Sequence, residues 1–77
     1  MSDPMTGIRA VRAALDEVEA RAAELRLELG REIRKARAAD APQKDIAAEL
    51  RLTREQVRRI QEAADIADGL KPARAAD

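Results

Sequence analysis

The chain has no cysteine, no histidine and no phenylalanine, tyrosine or tryptophan. Without cysteine there is neither a disulfide nor a thiolate metal site. Without histidine the commonest metal ligand and the commonest general base are missing. Side-chain hydroxyls are confined to Ser2, Thr6 and Thr53. A Ser-His or Cys-His nucleophile is therefore excluded, and the chain is not expected to be an enzyme. No run approaches the ~18–20 apolar residues of a membrane span. The opening "MSDPMTGIRA" lacks the basic segment and apolar run of a signal peptide. A cytoplasmic protein is expected, with no cofactor, metal or membrane partner. An excess of charge is absent too, since 15 Lys+Arg balance 15 Asp+Glu for a formal net charge of zero.

What is present is helix-forming. Of 77 residues 45% are hydrophobic, but 18 are Ala; the larger apolar residues are seven Leu, five Ile, three Val and two Met. That is one domain at most, with a thin core that is expected to borrow stability from a second copy or a ligand. The fold class expected is all-α.

Ile8, Val11, Leu15, Val18, Ala22, Leu25 and Leu29 alternate in steps of three and four, which is a heptad stripe. Ile33 follows after another four, and two successive fours make a stutter. Gly30 sits there, and a Gly inside a helix costs roughly 1 kcal/mol relative to Ala. The pattern predicts one long helix from about Thr6 to Ala39 with a weak point at Gly30; a break there would give a compact hairpin instead. Asp3 or Thr6 is expected to cap it. Glu17–Arg21, Glu28–Arg31 and Glu32–Lys35 are expected ion pairs, and Arg31, Arg34, Lys35 and Arg37 suit the negative end of the helix dipole. Glu24, Glu28 and Glu32 share a face at i+4 spacing; with no His and with Arg and Lys beside them they read as a solvated face rather than a metal or acid–base site.

Such a helix is about 50 Å long, more than two short helices can cover. Its N-terminal half, carrying Ile8, Val11, Leu15, Val18, Ala22 and Leu25, is expected to pair with the same half of a second copy. A parallel pair would set Arg21 against Arg26, so an antiparallel or crossed homodimer is favoured. "ADAPQ" then stops the helix, because Ala41 precedes Pro42. A short second helix is expected from about Gln43 to Arg51, with Ile46, Ala47 and Leu50 on its apolar face and Leu52 in the turn. Thr53 and Gln56 form the T-x-x-Q capping box of a third helix. Val57, Ile60 and Ala64 share a face of it, with Ala67 nearby. Gly69 supplies a left-handed ending, Leu70 is expected to fold back toward Ile66, and Pro72 blocks resumption. The organisation expected is a tail at 1–7, a long helix at 8–39, a two-helix unit at 43–68 and a flexible tail at 69–77.

Within the window from Gln43 to Glu62, the fifth place carries the small Ala47, and Ile46, Leu50, Leu52, Val57 and Ile60 occupy the fourth, eighth, tenth, fifteenth and eighteenth. With a helix start at Thr53, this resembles the helix-turn-helix superfamily in its three-helix form, as in the fourth region of sigma factors or the N-terminal domains of many small regulators. The likeness spans about Leu29 to Ala67, and the chain is also similar to small actinobacterial DNA-binding proteins, some of them nucleoid-associated. The ninth place, usually Gly because the turn often needs positive φ, is Arg51. The resemblance implies double-stranded DNA as partner, with the third helix in the major groove. Its exposed face would be Thr53, Arg54, Glu55, Arg58 and Arg59, with Gln56 at the edge; Gln43 and Lys44 would touch phosphate. From Arg51 to Arg59 four Arg and one Glu give a local charge of +3, which decides contact where net charge does not. Glu55 either accepts from a cytosine amine or orients Arg58 and Arg59. A regulator or an architectural protein of the bacterial nucleoid is expected, with no small-molecule ligand. The alternative is an αα-hairpin in a protein-interaction module, such as an antitoxin or a sigma-binding adaptor.

Overall fold

The computed structural model describes residues 3–73. The expected flexible tail at 69–77 lies partly outside the described residues, as does the start of the tail at 1–7. Among the described residues the architecture is all-helical: α1 (Thr6–Ala38), α2 (Gln43–Leu50) and α3 (Arg54–Ala67). None of these helices is long and apolar enough to cross a membrane.

Helix α1 runs unbroken through Gly30. The expected weak point is instead the place where α3 crosses. Gly30 is buried, and a Cβ built on it would lie 2.5 Å from the Ile60 carbonyl oxygen and 2.6 Å from Ala64 Cβ. Two helix backbones can approach this closely only where one side chain is absent. The cost of Gly in the helix is thus set against the packing of α3.

The core lies around the crossing. Ile33 is 3% exposed and Val57 is fully buried, with Ala47 between them. Leu29, Ile46, Leu50, Leu52 and Ile60 pack against this cluster. The six apolar positions named in the Gln43–Glu62 window are therefore in the core or packed against it, while Ala67 is exposed.

All three helices end alike. At each end a left-handed residue follows the last turn: Asp40 at φ 67°, Arg51 at φ 57° and Gly69 at φ 74°. The next N–H then reaches back to the carbonyl five residues earlier: Ala41 to Ala36 at 3.0 Å, Leu52 to Ala47 at 3.0 Å and Leu70 to Asp65 at 2.8 Å. This is the Schellman pattern of hydrogen bonds. Only the last uses Gly; Asp40 and Arg51 hold a conformation that disfavours a Cβ. The expected fold-back of Leu70 does not occur, because its side chain is 65% exposed; backbone bonds alone close that end.

The N-terminus of α3 carries the full capping box. Thr53 Oγ1 accepts from the Gln56 N–H at 3.1 Å, and Gln56 Oε1 accepts from the Thr53 N–H at 2.9 Å. The start of α1 departs from expectation. Met5 is the cap residue and has no side-chain cap bond. Asp3 lies two residues before the cap, and its carboxylate accepts from the Met5 N–H at 2.9 Å.

Two expected ion pairs are also replaced. Arg21 pairs with Glu24 rather than Glu17, at 3.0 Å, while Glu32–Lys35 forms at 2.9 Å. Arg31 leaves Glu28 for Asp68 on α3, gripping it through Nε at 3.0 Å and Nη2 at 2.8 Å. Arg34 bridges Asp65 and Asp68, at 2.7 Å each. A forked guanidinium on a carboxylate outcompetes a flexible contact within one helix. The cations at the end of α1 thus clamp α3 instead of merely facing the dipole.

Candidate nucleic-acid interface

The site begins with how α3 is held. Its buried side is fixed by Val57, Ile60 and Ala64 against α1, and its start by the capping box. Gln43 Nε2 donates to the Arg54 carbonyl at 3.3 Å, which ties the start of α2 to the start of α3. Gln43 was expected at phosphate; it is half-buried and engaged. Thr53 and Gln56 are exposed but occupied by capping. Lys44, Arg51, Arg54, Glu55, Arg58 and Arg59 all stand exposed.

These cations divide in two. Arg58 is bracketed by acids of its own helix, with Glu55 at 2.6 and 2.9 Å and Glu62 at 2.7 Å. Arg59 Nε also donates to Glu55, at 3.1 Å. The Arg58 guanidinium, helped by Arg59, pulls the Glu55 carboxyl down to about 2, and Glu55 in turn raises Arg58 above its ordinary value. Glu55 thus accepts from both Arg58 and Arg59, the geometry that the second of its two expected roles calls for. Lys44, Arg51 and Arg54 form no ion pair among the described residues. The outward positive field rests on these three, and the formal +3 overstates what Arg58 and Arg59 present at a distance. Exposed ion pairs are weak and screened by salt, so an approaching phosphate can displace Glu55.

A mixed-sign groove along α3 is lined by Glu55, Arg58, Arg59, Glu62, Ala63 and Ile66. An apolar groove between α1 and α2 has a floor including Leu29, Ile33, Ile46 and Leu50 and a rim of Glu32, Asp45 and Glu49. That acidic rim repels phosphate. Among the described residues no group of three His, Cys, Asp or Glu is placed to hold a metal ion.

The second set of candidates lies far from these. Ile8 is 64%, Val11 70% and Val18 65% exposed; Leu15 and Leu25 are exposed too, and Ala22 is half-buried. Nothing among the described residues covers this stripe. The molecule is 62 Å in its longest extent. Its radius of gyration is 17.6 Å, against about 11–12 Å for a compact domain of this length.

Two contacts of the site go beyond what residue order led one to expect. One is the Gln43 bond to Arg54. The other is the Arg31/Arg34 clamp on Asp65 and Asp68. A signal existed for the clamp: two cations three apart on one helix match two acids three apart on another. No protein-family model matches the chain, and no curated protein or solved structure matches it.

Proposed function

We propose that the chain is a dimeric helix-turn-helix protein that binds double-stranded DNA, with α3 in the major groove. It would serve as a small transcriptional regulator or as a nucleoid-associated, architectural protein, not as an enzyme. The observation that carries this reading is the exposed basic start of α3 at Arg54, beside a rigid cap; Arg54, Arg51 and Lys44 form no ion pair among the described residues. Arg54 is at the first turn, where a recognition helix meets base edges. Arg58 and Arg59 follow on the same helix, and guanidinium forks suit guanine and phosphate. Any bending of the duplex would come from the grip of two such units rather than from a wedge.

One observation favours a second reading, a protein-interaction module of the antitoxin or sigma-adaptor kind. Arg58 and Arg59 are already paired with Glu55 and Glu62, a mosaic of charges that also suits a protein partner. Titration of a labelled random-sequence duplex by fluorescence anisotropy, over a salt series, separates the two. Salt-sensitive binding is expected, with the logarithmic slope steepening by about 0.9 for each phosphate neutralised. Arg54→Ala should weaken binding, whereas Glu55→Gln should tighten it several-fold by freeing Arg59 and leaving Arg58 with Glu62 alone. Absence of salt-sensitive binding at low ionic strength would overturn the DNA reading.

A further inference from the structure

We infer that the stripe on α1 is covered by the same stripe of a second copy, antiparallel, with the two-fold axis passing between Asp16 and Glu17. This rests on the proposed dimer but not on the proposed DNA binding. In this register Ile8 lies opposite the partner's Leu25, Val11 opposite the partner's Ala22, and Leu15 opposite the partner's Val18. Every exposed member of the stripe from Ile8 to Leu25 is then matched within the set. In an antiparallel pair the residues flanking one edge of the seam face their own kind, and here Arg12 faces the partner's Glu19 twice over. Glu19 makes no ion pair among the described residues, and Arg12 holds only the exposed Asp16, at 3.0 Å.

Two features select this register. Sliding the copies by one heptad toward the C-terminus would set Arg12 against the partner's Arg26 and Glu19 against its own copy. It would also drive the partner's Thr6, where its helix begins, past Leu29 into the space taken by α2 and α3. Sliding the other way sets Arg12 against its own copy and leaves Ala22 and Leu25 uncovered. In the chosen register the partner's helix begins opposite Leu27, just before the packed unit. The two Gly30 crossings then stand about 40 Å apart along the helices, the scale of half-sites one duplex turn (about 34–36 Å) apart.

Sedimentation equilibrium of R12E, E19R, their equal mixture and the double variant R12E/E19R tests the register. Each single reversal should weaken self-association about tenfold, and the mixture and the double variant should recover the wild-type strength within about twofold. In a parallel pair Arg12 and Glu19 would not face each other, so single variants as strong as wild type, or a double variant no better than either single one, would overturn the proposal. Because the chain has no cysteine, a spin label on Ala10→Cys reports direction: the labels should lie at least ~20 Å apart. A separation set by the width of the pair alone, with no ~20 Å offset along the helices, would overturn it. A wild-type chain that stays monomeric at high micromolar concentration would defeat both this register and the dimer of the proposed function. The duplex titration judges α3 separately.

Discussion

In the C-terminal half of α1, Ile33 is 3% exposed; in the N-terminal half Val11, on a stripe of the same period, is 70% exposed. The two halves differ in what lies opposite them. Helix α3 has 14 residues and α1 has 33, or about 21 and 50 Å. One short helix can cover less than half of the rod. The stutter between Leu29 and Ile33 falls where the change occurs, since two steps of four turn the apolar face. Apolar period therefore says that a face needs a partner, and length says which stretch can find one in its own chain.

Gly30 and Gly7 break that comparison most directly. A Cβ at Gly30 meets backbone and Ala64, whereas a Cβ at Gly7 meets nothing within 4 Å. Gly30→Ala is expected to lose about 2 kcal/mol despite its better helix propensity, because α3 must move away. Gly7→Ala should instead gain up to ~0.5 kcal/mol. Urea unfolding followed by far-ultraviolet circular dichroism reads both, and equal signs would remove the crossing from the explanation.

The clamp sharpens the same contrast through pH. Arg31, then Arg34, hold Asp68 at about 2, below its free value of 3.8. A carboxyl depressed by folding stabilises the fold fully above its free value, and that contribution fades as pH falls to the folded one. The thermal midpoint should therefore decline between pH 3.8 and about 2. Asp68→Asn should lower the midpoint at neutral pH and flatten that decline. A residual slope is expected from Glu55, which is also held at about 2 but pairs only within α3. An unchanged midpoint in the variant would show that the clamp does not hold α3.

The last expected effect concerns Arg51. A non-Gly residue in the left-handed region costs roughly 1–2 kcal/mol, offset in part by the entropy that Gly loses on folding. Arg51→Gly should therefore raise stability by about 1 kcal/mol while removing one of the cations of the candidate interface that form no ion pair among the described residues. Higher stability with weaker duplex binding is the expected combination.

Much of this was legible from residue order. The six motif positions from Ile46 to Ile60 are local and periodic, so their burial could be read directly. The Thr53–Gln56 box and the left-handed Gly69 are signalled within a few residues. Glu55 reaches Arg58 and Arg59 by helical spacing alone. Gly30 was misread because propensity sees only its own helix, and the approach of Ile60 and Ala64 is a tertiary fact. Arg31 was expected at the nearer Glu28, and Arg34 at the end of its own helix dipole, for the same reason. Asp40 was not legible at all, since Pro42 signals a stop without saying which residue turns left-handed.

Hydrogen exchange along α1 at low and high chain concentration tests most directly whether its two halves have different partners. Amides of residues 8–25 should gain protection as concentration rises, while those of residues 30–38, covered by α3 within one chain, should not change. Protection that is independent of concentration in both halves would contradict that division.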